Sequence, residues 1–199
     1  MEKMNKRLMR IITAVLCIVM MLGLSSCAAN AAAENSSEPA SLMSSEPENR
    51  TGKKIYFAGP LFSQAEKDYN LILAKVLEDN GYEVFLPQRD GIEAAMLEGK
   101  SEEEVAAMIF EKDVSEIMKA DILFMVLDGR VPDEGACVEL GIGYANQKRC
   151  YGIKTDTRSI EIGLDLNPMI SECFIKIFKD FDGEKLIEQL EQYLAENEL

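Results

Sequence analysis

The chain has 199 residues, no histidine and a formal net charge of −14, with 35 acidic against 21 basic residues. A strongly anionic protein repels the phosphate backbone of nucleic acids, so we expect no nucleic-acid partner. The lack of histidine excludes Ser-His-Asp and Cys-His nucleophile systems and removes the commonest zinc ligand. The cysteine spacing is not typical of a metal site either, and we expect neither a metal nor another cofactor.

The first 26 residues have the pattern of a bacterial lipoprotein signal peptide. Basic residues come first, and the apolar run over residues 11–24 is too short for a comfortable membrane span. The run ends in Leu24-Ser25-Ser26-Cys27, which resembles the lipoprotein cleavage signature. We expect cleavage before Cys27, acylation of Cys27 and attachment to the cell membrane, facing outside the cytoplasm. A plain secretory signal and an uncleaved short anchor are the alternatives.

Residues 27–52 consist mostly of Ala, Ser, Asn, Glu and Pro, with few large apolar side chains. Such a segment buries too little surface to offset its ordering entropy, so we predict a disordered tether. Residues 53–199 are long enough for one domain with its own core. The three cysteines of this domain, Cys137, Cys150 and Cys173, are an odd number and predict no disulfide framework.

Strand and helix patterns alternate along the folded part. In chain order we predict a strand Lys54–Ala58, a helix Gln64–Asn80, a strand Tyr82–Leu86, a helix from Ser101 to about Lys119 that opens with a capping box, a strand Asp121–Leu127, a helix Gly135–Asn146, strands Cys150–Ile153 and Phe174–Phe178, and a helix Gly183–Glu196. Short apolar strands separated by helices favour a parallel sheet covered on both faces. The sequence thus predicts an α/β fold, a three-layer sandwich with a parallel, flavodoxin-like sheet of about five strands.

Two carboxylates follow the third predicted strand. Asp133 lies in the turn after it and Glu139 lies inside the next helix. Gly135 and Gly143 are four residues to either side of Glu139, so we expect the helix face around this carboxylate to be bare and open to a ligand. In an open α/β fold, substrates bind over the carboxyl ends of the strands, here those of the first and third strands.

The same edge of the sheet should collect further polar and aromatic side chains: Tyr56 in the first strand, Gly59 and Phe62 in the loop after it, Gln88 after the second strand, and Asp113 on the helix before the third strand. Paired carboxylates without an imidazole fit glycosyl transfer, since one ionised carboxylate attacks the anomeric carbon and a protonated one assists the leaving group. Phe62 is suited to stack on a flat heterocycle and Gln88 to pair with its edge. A flat base attached to a sugar is a nucleoside.

Four segments in the same order resemble the nucleoside 2-deoxyribosyltransferase family. They are Lys54–Phe62 (KIYFAGPLF), Asp113 with Ala120–Asp121, Asp133–Gly141 (DEGACVELG), and Asn167–Ile170 (NPMI). The Asp-x-Gly-x-x-x-Glu element is moderately specific alone, and the four elements together are much more so. The resemblance covers residues 53 to about 178.

The resemblance implies a role for each matching residue. Glu139 would be the nucleophile that forms a covalent deoxyribosyl-enzyme, positioned by Tyr56, with Asp113 on the sugar hydroxyls and Asp133 as the acid near the departing base. Phe62 matches a base-stacking aromatic residue, and Gln88 less securely a base-contacting glutamine. The segment with Asn167 and Met169 would reach into the site of a neighbouring subunit. The family therefore implies deoxynucleosides and free nucleobases as ligands and a homodimer or larger assembly.

Other interpretations remain at this stage. A related activity is that of a 2′-deoxynucleoside 5′-monophosphate N-glycosidase, although the loop Gly59–Ser63 has no arginine and a proline that removes a donor. A lipoprotein that binds nucleosides without turnover is another. Individually, Tyr56 could be a core residue, Asp113 a surface residue of its helix, and Asn167 part of a simple turn.

Overall fold

The computed structural model of the protein describes residues 51–156, 158 and 165–199. The predicted signal peptide, Cys27 and all but the last two residues of the predicted tether lie outside these residues. The backbone N–H and the hydroxyl of Thr51 both donate to the Gly81 carbonyl, at 3.1 and 3.2 Å. The hydrogen-bonded part of the domain therefore includes Thr51, two residues before the predicted boundary.

Five strands form one parallel sheet in the order β2-β1-β3-β4-β5. The strands are β1 Lys54–Ala58, β2 Glu83–Phe85, β3 Ile122–Val126, β4 Arg149–Lys154 and β5 Lys176–Lys179. The helices of the described residues are α1 Gln64–Asp79, α2 Pro87–Asp90, α3 Ala94–Leu97, α4 Glu102–Lys119, α5 Glu134–Ala145, α6 Pro168–Ser171 and α7 Gly183–Glu196. This arrangement confirms the predicted α/β, flavodoxin-like fold.

Two apolar clusters, one on each face of the sheet, make three layers. One cluster joins Ile55 and Phe57 to α1 and α7, and the other joins Tyr56 and Leu123 to α4 and α5. Alternate residues of β1 thus enter different layers, as the two-residue period of a strand requires. Tyr56 faces the layer that contains α5 and its glutamate.

Two helices begin at capping boxes formed by residues three apart in the chain. Ser63 and Ser101 form capping boxes with Glu66 and Glu104, the second of which we predicted. The short helices α2, α3 and α6 were not predicted, since four residues are too few for a periodic pattern. The fifth strand begins at Lys176 instead of Phe174, because the Phe174 N–H still bonds back to the Ser171 carbonyl after α6.

The buried side of α1 includes a polar residue. Ile72 is half exposed, whereas Asn70 is only 2% exposed. Asn70 lies one turn before Leu73 and Ala74, so it shares their face of the helix. A polar amide therefore occupies a place in the core layer beside the loop after β1.

Within the described ranges 51–156 and 165–199, the helices are too short or too polar to cross a membrane.

Candidate active site

The loops after β1 and β3 lie against each other at the carboxyl edge of the sheet. A Cβ on Gly59 would lie 3.0 Å from the Cβ of Val126, the last residue of β3. A side chain at this position would push the two loops apart, so glycine allows the close approach. This is the edge at which we expected the substrate.

A hydrogen bond joins the first strand to the fifth helix at this edge. The Tyr56 hydroxyl donates to Oε1 of Glu139 over 2.7 Å. Tyr56 is fully buried and Glu139 is partly buried in the second turn of α5. The pairing holds the carboxylate in one orientation and uses one of its two oxygens. The other carboxylate oxygen is the one that can act on a ligand.

Burial changes the ionisation of this pair. It is the main reason that the pKa of Glu139 rises from its ordinary 4.5 to about 7, and the negative charges of Asp113 and Asp133 add to the rise. The Tyr56 hydroxyl opposes it by stabilising the carboxylate. Burial likewise raises the pKa of Asp113, and burial with the adjacent carboxylates raises that of Tyr56 far above its usual range. Tyr56 therefore remains a proton donor at any physiological pH.

The structure thus brings together all four residues that we predicted as catalytic. Tyr56, Asp113 and Glu139 influence each other's ionisation, and Asp133 is close enough to act on Glu139. They come from β1, α4, α5 and the residue before α5. A cluster of carboxyl groups with raised pKa values in a cleft is a common feature of active sites.

Asp133 also has a structural role, because it caps the N-terminus of α5. Its Oδ1 accepts a hydrogen bond of 2.8 Å from the Ala136 N–H at the helix N-terminus. The cap fixes where this carboxylate stands relative to Glu139, one and a half turns later on the same helix.

The expectation of a bare helix face around Glu139 is wrong for one of the two glycines. Gly143 is buried, and a Cβ there would lie only 2.9 Å from Cδ1 of Leu123 in β3. Gly143 serves close packing of α5 on the sheet, not access for a ligand. Gly135 is exposed, and a Cβ there would meet only Oδ1 of Asp133, at 3.1 Å. Of these two glycines, only Gly135 on the N-terminal side of Glu139 leaves space for a ligand.

A cavity of about 210 Å³ lies next to Asp113. Its walls come from the loop after β1, the segment after β2 and helix α4, and they include Leu61, Pro87, Ile92, Leu97 and Ile109. These walls are apolar, with the charged groups of Lys112 and Asp113 at one side. An apolar cleft beside a few polar groups is the usual form of a site for a small flat ligand.

Each predicted base-contacting residue directly follows, in the chain, a residue that lines this cavity. Phe62 follows Leu61 and is 76% exposed. Gln88 follows Pro87, but its amide bonds within the protein: Nε2 donates to the Lys67 carbonyl over 2.9 Å and Oε1 accepts from Asn70 over 3.0 Å. Gln88 therefore joins the segment after β2 to α1 as well as lying near the site.

Met169 lies on the short helix α6, and Asn167 is the residue before it. The Asn167 side chain caps this helix by accepting from the Met169 N–H over 2.9 Å. The Met169 side chain is 83% exposed. The hydrogen bonds described for these two residues stay within their own turn and do not connect them with Tyr56 or Glu139 of the same chain.

Two polar residues of this edge were missed by sequence reasoning. Asp128 lies two residues after the end of β3 and accepts from the N–H groups of Thr155 and Asp156, at 2.6 and 2.8 Å, which ties the ends of β3 and β4 together. Asn70 donates to the Pro60 carbonyl over 2.9 Å and to Gln88. Asp128 could have been found in the sequence as an Asp just past a buried strand. Asn70 could have been found by its one-turn spacing from the buried Leu73.

No group of three or more acidic or cysteine side chains among the residues that the structure describes is arranged to hold a metal ion.

Comparison with known proteins gives matches over the whole described domain. A family model described as nucleoside 2-deoxyribosyltransferase matches residues 55–197, more than half of the chain. A 2-deoxyribosyltransferase from the psychrotolerant bacterium Bacillus psychrosaccharolyticus is 27% identical, with 70% of this chain and 91% of that chain covered and a TM-score of 0.58. A conserved protein from Enterococcus faecalis is also 27% identical, with 70% and 98% covered and a TM-score of 0.55.

A third structure, a 2-deoxyribosyltransferase from Leishmania mexicana, is 19% identical over 73% of this chain and 99% of that chain, with a TM-score of 0.52. At this identity the likeness concerns the fold alone. A search of curated protein sequences finds no significant match.

Proposed function

Since this chain belongs to the nucleoside 2-deoxyribosyltransferase family, we propose that it cleaves the N-glycosidic bond of 2′-deoxynucleosides and transfers the 2-deoxyribosyl group to another nucleobase or to water. The observation that carries the proposal is the Glu139 carboxylate, held by Tyr56 over 2.7 Å within a cluster of acids. The 2-deoxyribosyltransferase from Bacillus psychrosaccharolyticus, at 27% identity, supports the same reaction class.

In the first step the ionised Glu139 attacks C1′ of the sugar. A carboxylate–C1′ ester bond forms and the N-glycosidic bond breaks, with its electron pair passing to the base. A proton from solvent reaches the departing base by way of Asp133, which acts as acid or proton shuttle. Tyr56 donates to Oε1 of Glu139, which leaves Oε2 as the attacking oxygen. Asp113 binds the sugar hydroxyls from α4.

In the second step an acceptor base or a water molecule attacks C1′ from the side that the first base left. The ester bond breaks, Glu139 returns as a carboxylate, and the proton of the acceptor passes to Asp133. Two displacements at one carbon keep the original configuration of the glycosidic bond, as in retaining glycosidases. A carboxylate with a pKa of about 7 is a better nucleophile than an ordinary one, once ionised.

The base is proposed to lie in the apolar cavity beside Asp113. Leu61, Pro87 and Ile109 offer flat contact there, and the exposed Phe62 ring adds a stacking surface near the cavity. The backbone N–H of Phe62 donates to Glu66. Gly59 keeps the loop after β1 close to β3. Gln88 contributes through its remaining N–H as a contact for the base edge, besides its bonds to Asn70 and Lys67.

The proposed substrates are nucleosides and not nucleotides. A 5′-phosphate needs cationic or amide-rich contacts. The loop after β1 has no basic side chain, and the nearby carboxylates of Asp113, Asp128 and Asp133 would repel the phosphate. The rival activity, cleavage of deoxynucleoside 5′-monophosphates, is therefore the less favoured one.

Two further proposals concern assembly and location. The strongly exposed Met169, with Asn167 beside it, suits a segment that completes the site of a neighbouring subunit, so we propose a homodimer or larger assembly. The signal pattern that ends at Cys27 supports a lipid-anchored protein on the outer side of the cell membrane.

The decisive experiment is a base-exchange assay with a deoxynucleoside and a second free base, analysed by chromatography. Purine and pyrimidine acceptors, water alone and 5′-phosphorylated substrates form parallel arms. Glu139→Gln should lower the exchange rate by about three orders of magnitude or more, since a covalent nucleophile is lost. Intact-mass spectrometry of the quenched wild-type reaction should show an adduct of one deoxyribosyl group.

The matched control is Glu134→Gln, an exposed glutamate in the first turn of the same helix, which should exchange like the wild type. If Glu139→Gln kept more than about a tenth of the wild-type rate, Glu139 could not be the nucleophile. Turnover confined to the 5′-phosphorylated arm would instead establish the nucleotide activity, and ligand binding without turnover would indicate a binding protein.

A further inference from the structure

We propose that Phe85 is a positioning residue whose ring, braced by Lys112 and Lys54, holds the Tyr56 hydroxyl against Glu139. Phe85 does not line the cavity described above, and its effect on turnover rests on the proposed function. Its effect on the carboxylate of the free protein does not.

The sheet register places the two rings side by side. Tyr56 and Phe85 are directly paired residues of β1 and β2, so their side chains leave the same face of the sheet. The ring centroids are 5.6 Å apart and the planes differ by 20°, which is a stacked arrangement. Both residues belong to the buried cluster beneath α4 and α5. Phe85 therefore limits how far the Tyr56 ring can tilt.

The Phe85 ring is itself held by two ammonium groups. Nζ of Lys112 lies 5.2 Å and Nζ of Lys54 lies 5.9 Å from its centroid, both within the range of a cation–π contact. The same two groups donate to the carboxylate of Glu116, over 3.0 and 2.8 Å. The lysines thus have fixed positions around the ring.

The Glu116 carboxylate holds the two lysines around the Phe85 ring. Its side chain is 6% exposed and it also accepts from Lys119 over 3.0 Å. The lysine partners, Lys54 first, lower the pKa of Glu116 to about 2, so the carboxylate stays ionised and keeps its cations in place. A buried carboxylate with three bonded cations is costly to disrupt, because removal of a partner leaves a charge unpaired.

The Tyr56 hydroxyl makes Glu139 easier to ionise, against the larger effect of burial on its pKa. The groups that face this pair from the neighbouring elements are Asp113 on α4 and Asp133 before α5, both of which disfavour the charge on Glu139. Around Phe85 the charged groups are Lys54, Glu83, Arg89, Asp90, Lys112 and Glu116. Tyr56 is the group that favours the Glu139 carboxylate, and a tilt of its ring would lengthen the 2.7 Å bond. Loss of the stacked ring should therefore make Glu139 harder to ionise.

The test is a titration of the Glu139 carboxyl group by ¹³C NMR in the free, folded protein, with Glu139→Gln to assign the signal. In Phe85→Leu the midpoint should move upward by about half to one pH unit, the effect of weakening one hydrogen bond to a carboxylate. Phe85→Tyr keeps the stacked ring and should titrate like the wild type. If Phe85→Leu does not fold, as judged by circular dichroism, Phe85→Met preserves the volume and replaces it.

Two comparisons separate positioning from general loss of core packing. Phe57→Leu removes a buried ring from the neighbouring residue of β1, but Phe57 packs with Phe124 on the other face of the sheet, so the Glu139 midpoint should not move. In a Tyr56→Phe background the Phe85→Leu change should have no additional effect, because the hydroxyl through which Phe85 acts is gone.

An unchanged midpoint in Phe85→Leu would overturn the proposal, and so would an equal shift in Phe57→Leu or a further shift in the Tyr56→Phe background. The titration needs no substrate. A protein without exchange activity would disprove the proposed function and leave this result standing, whereas an active protein with an unmoved midpoint would disprove the positioning role alone.

Discussion

Burial and the hydrogen bond from Tyr56 have opposite effects on the ionisation of Glu139. Burial excludes water from the carboxylate and raises its pKa to about 7, which makes it more reactive but also harder to ionise. Tyr56 recovers part of the ionised population by donating to Oε1. The pair is thus expected to give an activity that rises with pH on the acid side of neutrality.

The same residue should cost stability at high pH. The folded-state pKa of Glu139 lies above its ordinary value of 4.5, so the folded protein holds more protons between pH 4.5 and about 7 and loses stability as the pH rises through this window. The full cost above pH 7 is on the order of 3 kcal/mol. Glu139→Gln removes the charge, and we predict a clear rise in melting temperature at pH 8 with little change at pH 5.

Thermal unfolding of both proteins at the two pH values measures this difference. Glu134→Gln, which alters an exposed carboxylate of the same helix, should give equal changes at pH 5 and pH 8. A Glu139→Gln protein that is no more stable at pH 8 than at pH 5, relative to the wild type, would mean that Glu139 is not desolvated in the folded state.

At the level of elements, the site depends on how the loop after β1 and the segment after β2 are tied to α1. Asn70 donates to the Pro60 carbonyl after β1 and to Gln88 after β2, and Gln88 donates back to the Lys67 carbonyl of α1. Asn70 is nearly without solvent contact, so these bonds have no water to replace them. The walls of the cavity beside Asp113 belong to the segments that this network joins.

We predict that Asn70→Ala and Gln88→Ala each raise the KM for the acceptor base more than they lower kcat, because they loosen the cavity without touching Glu139. Each should destabilise the fold by about 1–3 kcal/mol, and the double variant by less than the sum. Steady-state exchange kinetics and denaturant unfolding provide the two readouts.

Asn80→Ala is the matched control for these variants. Asn80 follows the same helix and donates to the Val76 carbonyl at the end of α1 that precedes β2, whereas the segments of the site follow the carboxyl ends of β1 and β2. Its loss should affect stability but not KM. Additive effects of Asn70→Ala and Gln88→Ala would show that the two amides do not act as one network.

At the level of the whole molecule, the proposed assembly predicts complementation between inactive chains. Asn167→Ala should lower activity although Glu139 is intact. Refolding a mixture of Glu139→Gln and Asn167→Ala chains should restore part of the activity, because a mixed dimer contains one site with both parts. Exchange assays on mixtures, with native mass spectrometry to prove mixed oligomers, test this. Mixed dimers without recovered activity would place Asn167 at the site of its own chain.

The proposed lipid anchor predicts the location of the protein. Cys27→Ser removes the acylated thiol, and the protein should move from the membrane fraction to the soluble fraction. Cell fractionation with immunodetection measures the change, and Cys17→Ser within the signal segment is the control that should stay membrane-bound. A Cys27→Ser protein that remains in the membrane would indicate an uncleaved anchor instead.

The sequence alone determined the order and kind of the main elements, because residue periods of 2 and 3.6 report which side of a strand or helix is apolar. It also predicted the capping box of Ser101, which depends on residues three apart in the chain, and it named Tyr56, Asp113, Asp133 and Glu139 as candidates. It could not give the short helices α2, α3 and α6, since a single turn has no periodic pattern.

Only the tertiary structure decided how these residues influence each other. A strand period shows that Phe85 is buried, but not that β2 pairs with β1 so that its ring stacks on Tyr56. The sequence shows that Gly143 is near Glu139, but not that this glycine of α5 faces Leu123 of β3. The pKa of Glu139 is the sum of burial and of charges brought from β1, α4 and the start of α5. Such sums depend on distances between segments far apart in the chain, and a local pattern contains no record of them.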